Sequence, residues 1–210
     1  MNIFALSKKA RKAARCHCDQ HAGKMLVETA QMLYTHLASV GVQLPPGPGR
    51  PYKPAYQHHP CTLWLHGGRA HFFWLLELGL WLAHTFTKRY GKVHKTEAHL
   101  RHMAKHVHPK ALQATCKSKA WLRRLTKRGL KAKVLSACAA KVATVNAPEG
   151  CRFGVACMGD DPTLLARTSR GHINLTASYK NFYAEKNAHQ FPMVWNKLRV
   201  PPPELSDTLV

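Results

Sequence analysis

The sequence is short of carboxylates. Ten aspartates and glutamates stand against 32 lysines and arginines in 210 residues, a formal charge of +22 with histidine neutral. That balance is unlike a typical soluble enzyme and points to polyanions: DNA, RNA or an anionic membrane face. A membrane-spanning run is also missing. The longest apolar stretch, Phe72 to Ala83, is interrupted by Glu77 and is too short to cross a bilayer, so it reads as a buried helix. No apolar signal segment opens the chain. Its seven cysteines, an odd number, read as free thiols in a reducing compartment, cytoplasmic or nuclear. There are no internal repeats and no low-complexity tracts.

With 45% hydrophobic residues a real core is expected. Four helical regions are predicted, and the fold class is all-α: a compact single-domain fold with a basic helical insertion. The first helix runs from about Lys8 to Val40, with apolar residues at Ala22, Met25, Leu26, Ala30, Leu33 and Leu37. "NIFAL" before it reads as extended. After the loop "PPGPGRP", a second helix spans Arg69 to Tyr90 and ends at Gly91. A third covers Lys95 to His106. The fourth, from about Lys117 to Val145, is basic. Between Glu97 and Glu149 there are twelve cations and no acid, among them Arg123, Arg124, Lys127, Arg128 and Lys131. A single-sign run repels itself and calls for an anionic partner, best a phosphate backbone. The expected units are a helical core over 1–103, the basic insertion over 104–147, and a C-terminal aromatic and basic segment over 148–210.

Two of the ten acids, Asp19 and Glu28, fall in "HCDQHAGKMLVE", and the next is Glu77. At about 100° per residue, His17, His21, Lys24, Glu28, Gln31 and Thr35 share an arc of about 80°, away from the apolar side. A carboxylate facing DNA repels phosphate. Keeping one beside cations suggests that it does chemistry, or that this face is not the one that meets DNA. Cys18, His21, His59 and Cys61 are ligand types, yet C-x-C, H-x-x-x-H and a distant H-P-C match no common zinc spacing, so neither metal nor cofactor is expected.

"DQH" followed by Glu28 resembles the signature helix of the phage pyrimidine-dimer DNA glycosylase/AP lyase family. "PCTLWLHGGRAHFFWLLELGLWLAHTFTKRYG" is similar to that family's loop and long second helix, and "YKNFYAEK" to its C-terminal aromatic-lysine segment. "NIF", "HCDQH", "HPC", "RYGKVH" and the Y-K-N-F-Y segment together also resemble a group of phage and viral proteins. The glycosylase resemblance implies an all-helical enzyme that excises a damaged pyrimidine, with an N-terminal α-amine as nucleophile and a glutamate as acid/base. Carried over, the glutamate is Glu28, the histidine is His21, and the amine belongs to Met1 or Asn2. Asn2 stands where the family has threonine, and Val27 and Gln31 where it has arginines.

The expected function is therefore a DNA glycosylase for damaged or modified bases, with or without a following AP lyase step. Expected partners are double-stranded DNA, with RNA as the alternative, and no membrane; the chain is expected to be a monomer. Nucleic-acid contacts are expected from His17, Lys24, Gln31, Lys53, His59, Arg89, Lys92, Tyr179, Lys180 and Tyr183, and from the five insertion cations named above. The competing readings are a non-catalytic basic protein of a ribonucleoprotein or DNA-packaging particle, and a zinc-stabilised module.

Overall fold

The computed structural model describes residues 2–66, 68–112, 162–171, 173–190 and 192–195. Within them the protein is all-α. Six helices form: α1 (Ala10–Cys16), α2 (Asp19–Ser39), α3 (Pro60–Leu65), α4 (Arg69–Tyr90), α5 (Thr96–His106) and α6 (Leu175–His189). The described residues contain no strand, only an isolated bridge between Arg167 and Ile173. None of their helices is long and apolar enough to cross a membrane. The basic segment, with Arg123, Arg124, Lys127, Arg128 and Lys131, lies outside the described residues, as does Met1.

α4 is the axis of the core. Its apolar run is buried on nearly every face, because α1, α2, α3 and α5 all pack against it. At Gly79 an added Cβ would lie 2.8 Å from Thr29 Cγ2 and 2.9 Å from Leu100 Cδ1, so only glycine lets α2 and α5 approach α4 this closely. The helix stops at Gly91, which takes the left-handed conformation (φ 66°) and donates its N–H to the Thr87 carbonyl.

The first predicted helix is two. The chain turns extended at His17 and Cys18 before restarting at Asp19. The break is held by groups from elsewhere. Arg89 Nη2 donates to the Arg15 carbonyl (3.2 Å), and Trp195 Nε1 donates to the Cys16 carbonyl (3.3 Å). The Asp19 N–H donates to the Val194 carbonyl (2.9 Å). Continuing the helix would remove the sites these groups use, and local periodicity carries no sign of them. α1 lies on α4 through Ala10, Ala13, Ala14 and Cys16, small residues that allow close contact. Its start is pinned by Trp74 Nε1 donating to the Lys8 carbonyl.

Residues 2–5 form no regular element, yet Ile3, Phe4, Ala5 and Leu6 are buried. The N-terminal segment therefore threads into the core. The C-terminal α6 closes over it, its start capped by the Asn174 side chain accepting from the Ala177 N–H. Tyr179 and Tyr183 on α6 are fully buried.

Candidate functional site

Asp19 and Glu28 do different work. Asp19 opens α2 and pairs with Arg89 at 3.2 Å; the Arg89 side chain has no exposure and that of Asp19 has 11%. The Tyr90 hydroxyl donates to the Asp19 carbonyl (3.0 Å). The "HCD" and "RYG" motifs thus meet, and what they build is a structural joint between α2 and the end of α4. Arg89, expected on a nucleic-acid surface, is buried in this joint.

Glu28 sits two turns further along α2, half-buried. Its Oε1 lies 3.7 Å from Lys24 Nζ, a lysine side chain 69% exposed. Its Oε2 accepts a 2.8 Å hydrogen bond from the main-chain nitrogen of Asn2. Residues 26 apart in sequence are brought together here, and the position of Asn2 is fixed from three further sides. The Asn2 Oδ1 accepts from the Ile3 N–H (2.7 Å), from the Tyr179 hydroxyl (2.8 Å) and, at 3.9 Å, from the Cys61 thiol. The main-chain nitrogen of residue 2 is therefore held against a carboxylate by α2, α3 and α6 together.

His21 lies two turns earlier on the same helix. The Tyr183 hydroxyl and His21 Nδ1 share a 2.8 Å hydrogen bond. Phe4 stacks on the imidazole with ring centroids 4.6 Å apart. Burial, then the charges of Lys186 and Lys24, lower the His21 pKa to about 4, so the ring is neutral at physiological pH. Burial pushes the Tyr183 hydroxyl well above its ordinary value, so it stays protonated. Phe4 also meets Tyr179 edge-on at 5.8 Å and Tyr183 at 5.5 Å, which makes an aromatic floor under His21.

The expected polar stripe is only partly realised. His17 has left it: it ends α1, is fully buried, and its Nδ1 bonds the Ala13 carbonyl at 2.7 Å. Burial lowers its pKa to about 3. It offers nothing to a nucleic acid. Tyr179 and Tyr183 likewise have no face exposed for stacking on bases; their hydroxyls position Asn2 and His21 instead. Lys24, Lys53 and Lys92 are exposed, and Gln31, His59 and Lys180 are half-buried. The Cys61 N–H donates to His59 Nδ1 (3.2 Å), and burial lowers the His59 pKa, with Glu28 acting in the opposite sense. Cys18, His21, His59 and Cys61 do not make a metal centre: among the described residues no three His, Cys, Asp or Glu gather where they could hold an ion.

No family model, curated protein or solved structure matches this chain. Three participants were not anticipated from the sequence: Phe4, Cys61 and Lys186. Phe4 and Cys61 fall in the short stretches "NIF" and "HPC" and Lys186 ends "YKNFYAEK", but nothing in their spacing points to contacts with His21 or Asn2.

Proposed function

We propose that the protein is a DNA base-excision enzyme, a glycosylase for damaged or modified bases. The observation that carries the reading is the 2.8 Å approach of the Asn2 main-chain nitrogen to Glu28 Oε2. If Met1 is removed, that nitrogen becomes a primary α-amine seated on a proton acceptor. The amine attacks C1′ of a flipped-out nucleotide, the glycosidic bond breaks with its electron pair going to the base, and the base takes a proton. The attached nitrogen gives a proton to Glu28, the sugar ring opens as the C1′–O4′ electron pair leaves on a protonated O4′, and the C1′ iminium so formed acidifies the C2′ proton; Glu28 removes it and the 3′ phosphate leaves with its electron pair. If Met1 is kept, the Asn2 nitrogen is an amide and no nucleophile. Glu28 then acts on a water molecule and stabilises the developing sugar cation, and no strand is cut. Neutral His21, held by Tyr183, orients the sugar or the leaving base.

The sequence resemblance and the +22 charge support the same reading, since a field of that sign gives sequence-independent grip on a duplex. Glu28→Gln tests it. Base release from a panel of damaged duplexes should vanish while duplex affinity stays equal or rises, because a negative charge is removed. Full base release in that variant would defeat the assignment. Binding of intact RNA in preference to DNA, with no chemistry on any damaged duplex, would favour a ribonucleoprotein component.

A further inference from the structure

We infer that the start of α4 is a binding site for a phosphate group, gripped by Arg69, His36 and the uncapped N–H groups of the helix. The inference does not depend on the glycosylase reading, because it uses none of the groups around Glu28.

The first residue of α4 is Arg69, and it is 94% buried, being 6% exposed. Its Nε and Nη2 are buried and have no hydrogen-bond partner. These two nitrogens form one edge of the guanidinium, whose parallel N–H groups grip two oxygens of a single oxyanion. No carboxylate among the described residues pairs with Arg69. A guanidinium taken out of water without a counter-charge is costly, so a fold that keeps one this way needs an anion from outside.

A second buried nitrogen without a partner lies near the start of α4. His36, on α2, is 4% exposed and its Nδ1 has no partner. Its ring lies 4.8 Å from that of His66, which precedes the turn, and 5.8 Å from that of Phe72 in the first turn of α4. His71 is not available in the same way, because its Nδ1 bonds the Trp64 carbonyl at 2.6 Å and its ring stacks on Trp64. His66 is exposed and marks the solvent side.

The backbone fits the same ligand. α4 has 22 residues, and its N-cap, Gly68 (φ 139°), supplies no capping side chain. No side chain caps the N–H groups of Arg69 and Ala70, the positive end of the helix dipole lies behind them, and the His71 N–H donates to the Gly68 carbonyl (2.9 Å). A cation is disfavoured by Arg69 and by that dipole. An oxyanion with several oxygens serves the fork, the imidazole and the helix start together. The phosphate could belong to a nucleic-acid backbone or be a free phosphate.

The test is thermal unfolding of the full chain against inorganic phosphate, with chloride at equal ionic strength as reference, for wild type and Arg69→Gln. Wild type should gain stability from phosphate beyond chloride, and Arg69→Gln should bind phosphate about tenfold or more weakly. Arg69→Lys keeps the charge and loses the fork; it replaces the glutamine variant if that one does not fold, and it should also bind weakly. A parallel titration with a short undamaged duplex separates the sources. Weaker duplex binding by the variant, with phosphate competing against duplex in wild type, assigns the site to backbone phosphate. Unchanged duplex binding assigns it to free phosphate. The same phosphate response in wild type and variant would overturn the site.

Discussion

Removing the Asp19 carboxylate should cost the fold about 3 kcal/mol. The reasoning starts from Arg89, whose side chain is fully enclosed and whose counter-ion is Asp19 at 3.2 Å. Breaking a buried pair by deleting one partner costs about 3–5 kcal/mol, because the surviving charge stays desolvated. The low end applies here, since Asp19 retains 11% exposure and Arg89 keeps its bond to the Arg15 carbonyl. For a chain of this size the melting temperature should fall by roughly 10 °C. Urea unfolding of Asp19→Ala, followed by helical circular dichroism, measures it. Adding Arg89→Met should recover most of the loss, because no charge is then left buried. Glu28→Gln is the control. Its cation partner is exposed and glutamine still accepts from the Asn2 nitrogen, so stability should stay within about 1 kcal/mol of wild type. A loss below about 1 kcal/mol in Asp19→Ala, or no recovery in the double variant, would refute the structural role given to this acid.

Stability should depend on pH in two opposite senses. Burial lowers His17 to about 3, and His21 and His36 to about 4, so the unfolded chain binds more protons below 6.5; the stability these rings contribute is present above 6.5 and is lost as pH falls towards 4. Burial raises Glu77 from 4.5 to about 7, so its contribution is present below 4.5 and lost as pH rises through 7. Urea midpoints should therefore rise from pH 4 to about 7, where three histidines outweigh one opposing glutamate, and level off above it, and Glu77→Gln should steepen that rise; an unchanged rise in that variant would contradict the assignment. Tyr183→Phe leaves His21 Nδ1 without its 2.8 Å partner and should cost about 1–2 kcal/mol, read by the same unfolding assay. Gly79→Ala forces a Cβ to within 2.8 Å of Thr29 Cγ2 and should cost about 1–3 kcal/mol through strain at the α2, α4 and α5 crossing; a neutral result would mean those side chains give way freely.

Helices with a long uninterrupted period were legible in the sequence. α4 has the predicted bounds, and α5 starts one residue later than expected at Thr96, because hydrophobic spacing and a C-terminal glycine are local signals. The α1–α2 break was not legible, since the groups that hold it come from Arg89, Val194 and Trp195. The same distance in sequence hid the roles of the tyrosines. Aromatics among lysines suggested stacking on bases, whereas α6 turns Tyr179 and Tyr183 inward onto Asn2 and His21. Charge bias and helical phase put Glu28 and His21 on one stripe with four other residues and the family resemblance picked out the two, but the nitrogen that meets Glu28 is fixed only once the N-terminal segment is threaded into the core.

The most direct test is borohydride trapping on a duplex with one abasic site, using protein whose N-terminal residue has been established by mass spectrometry. Chains that begin at Asn2 should give a covalent adduct that maps to the α-nitrogen of Asn2, and Glu28→Gln should lose the strand cleavage that follows it, while chains that keep Met1 give no adduct there. Chains that begin at Asn2, bind the abasic duplex and form no adduct would contradict the role assigned to the Asn2 nitrogen and Glu28.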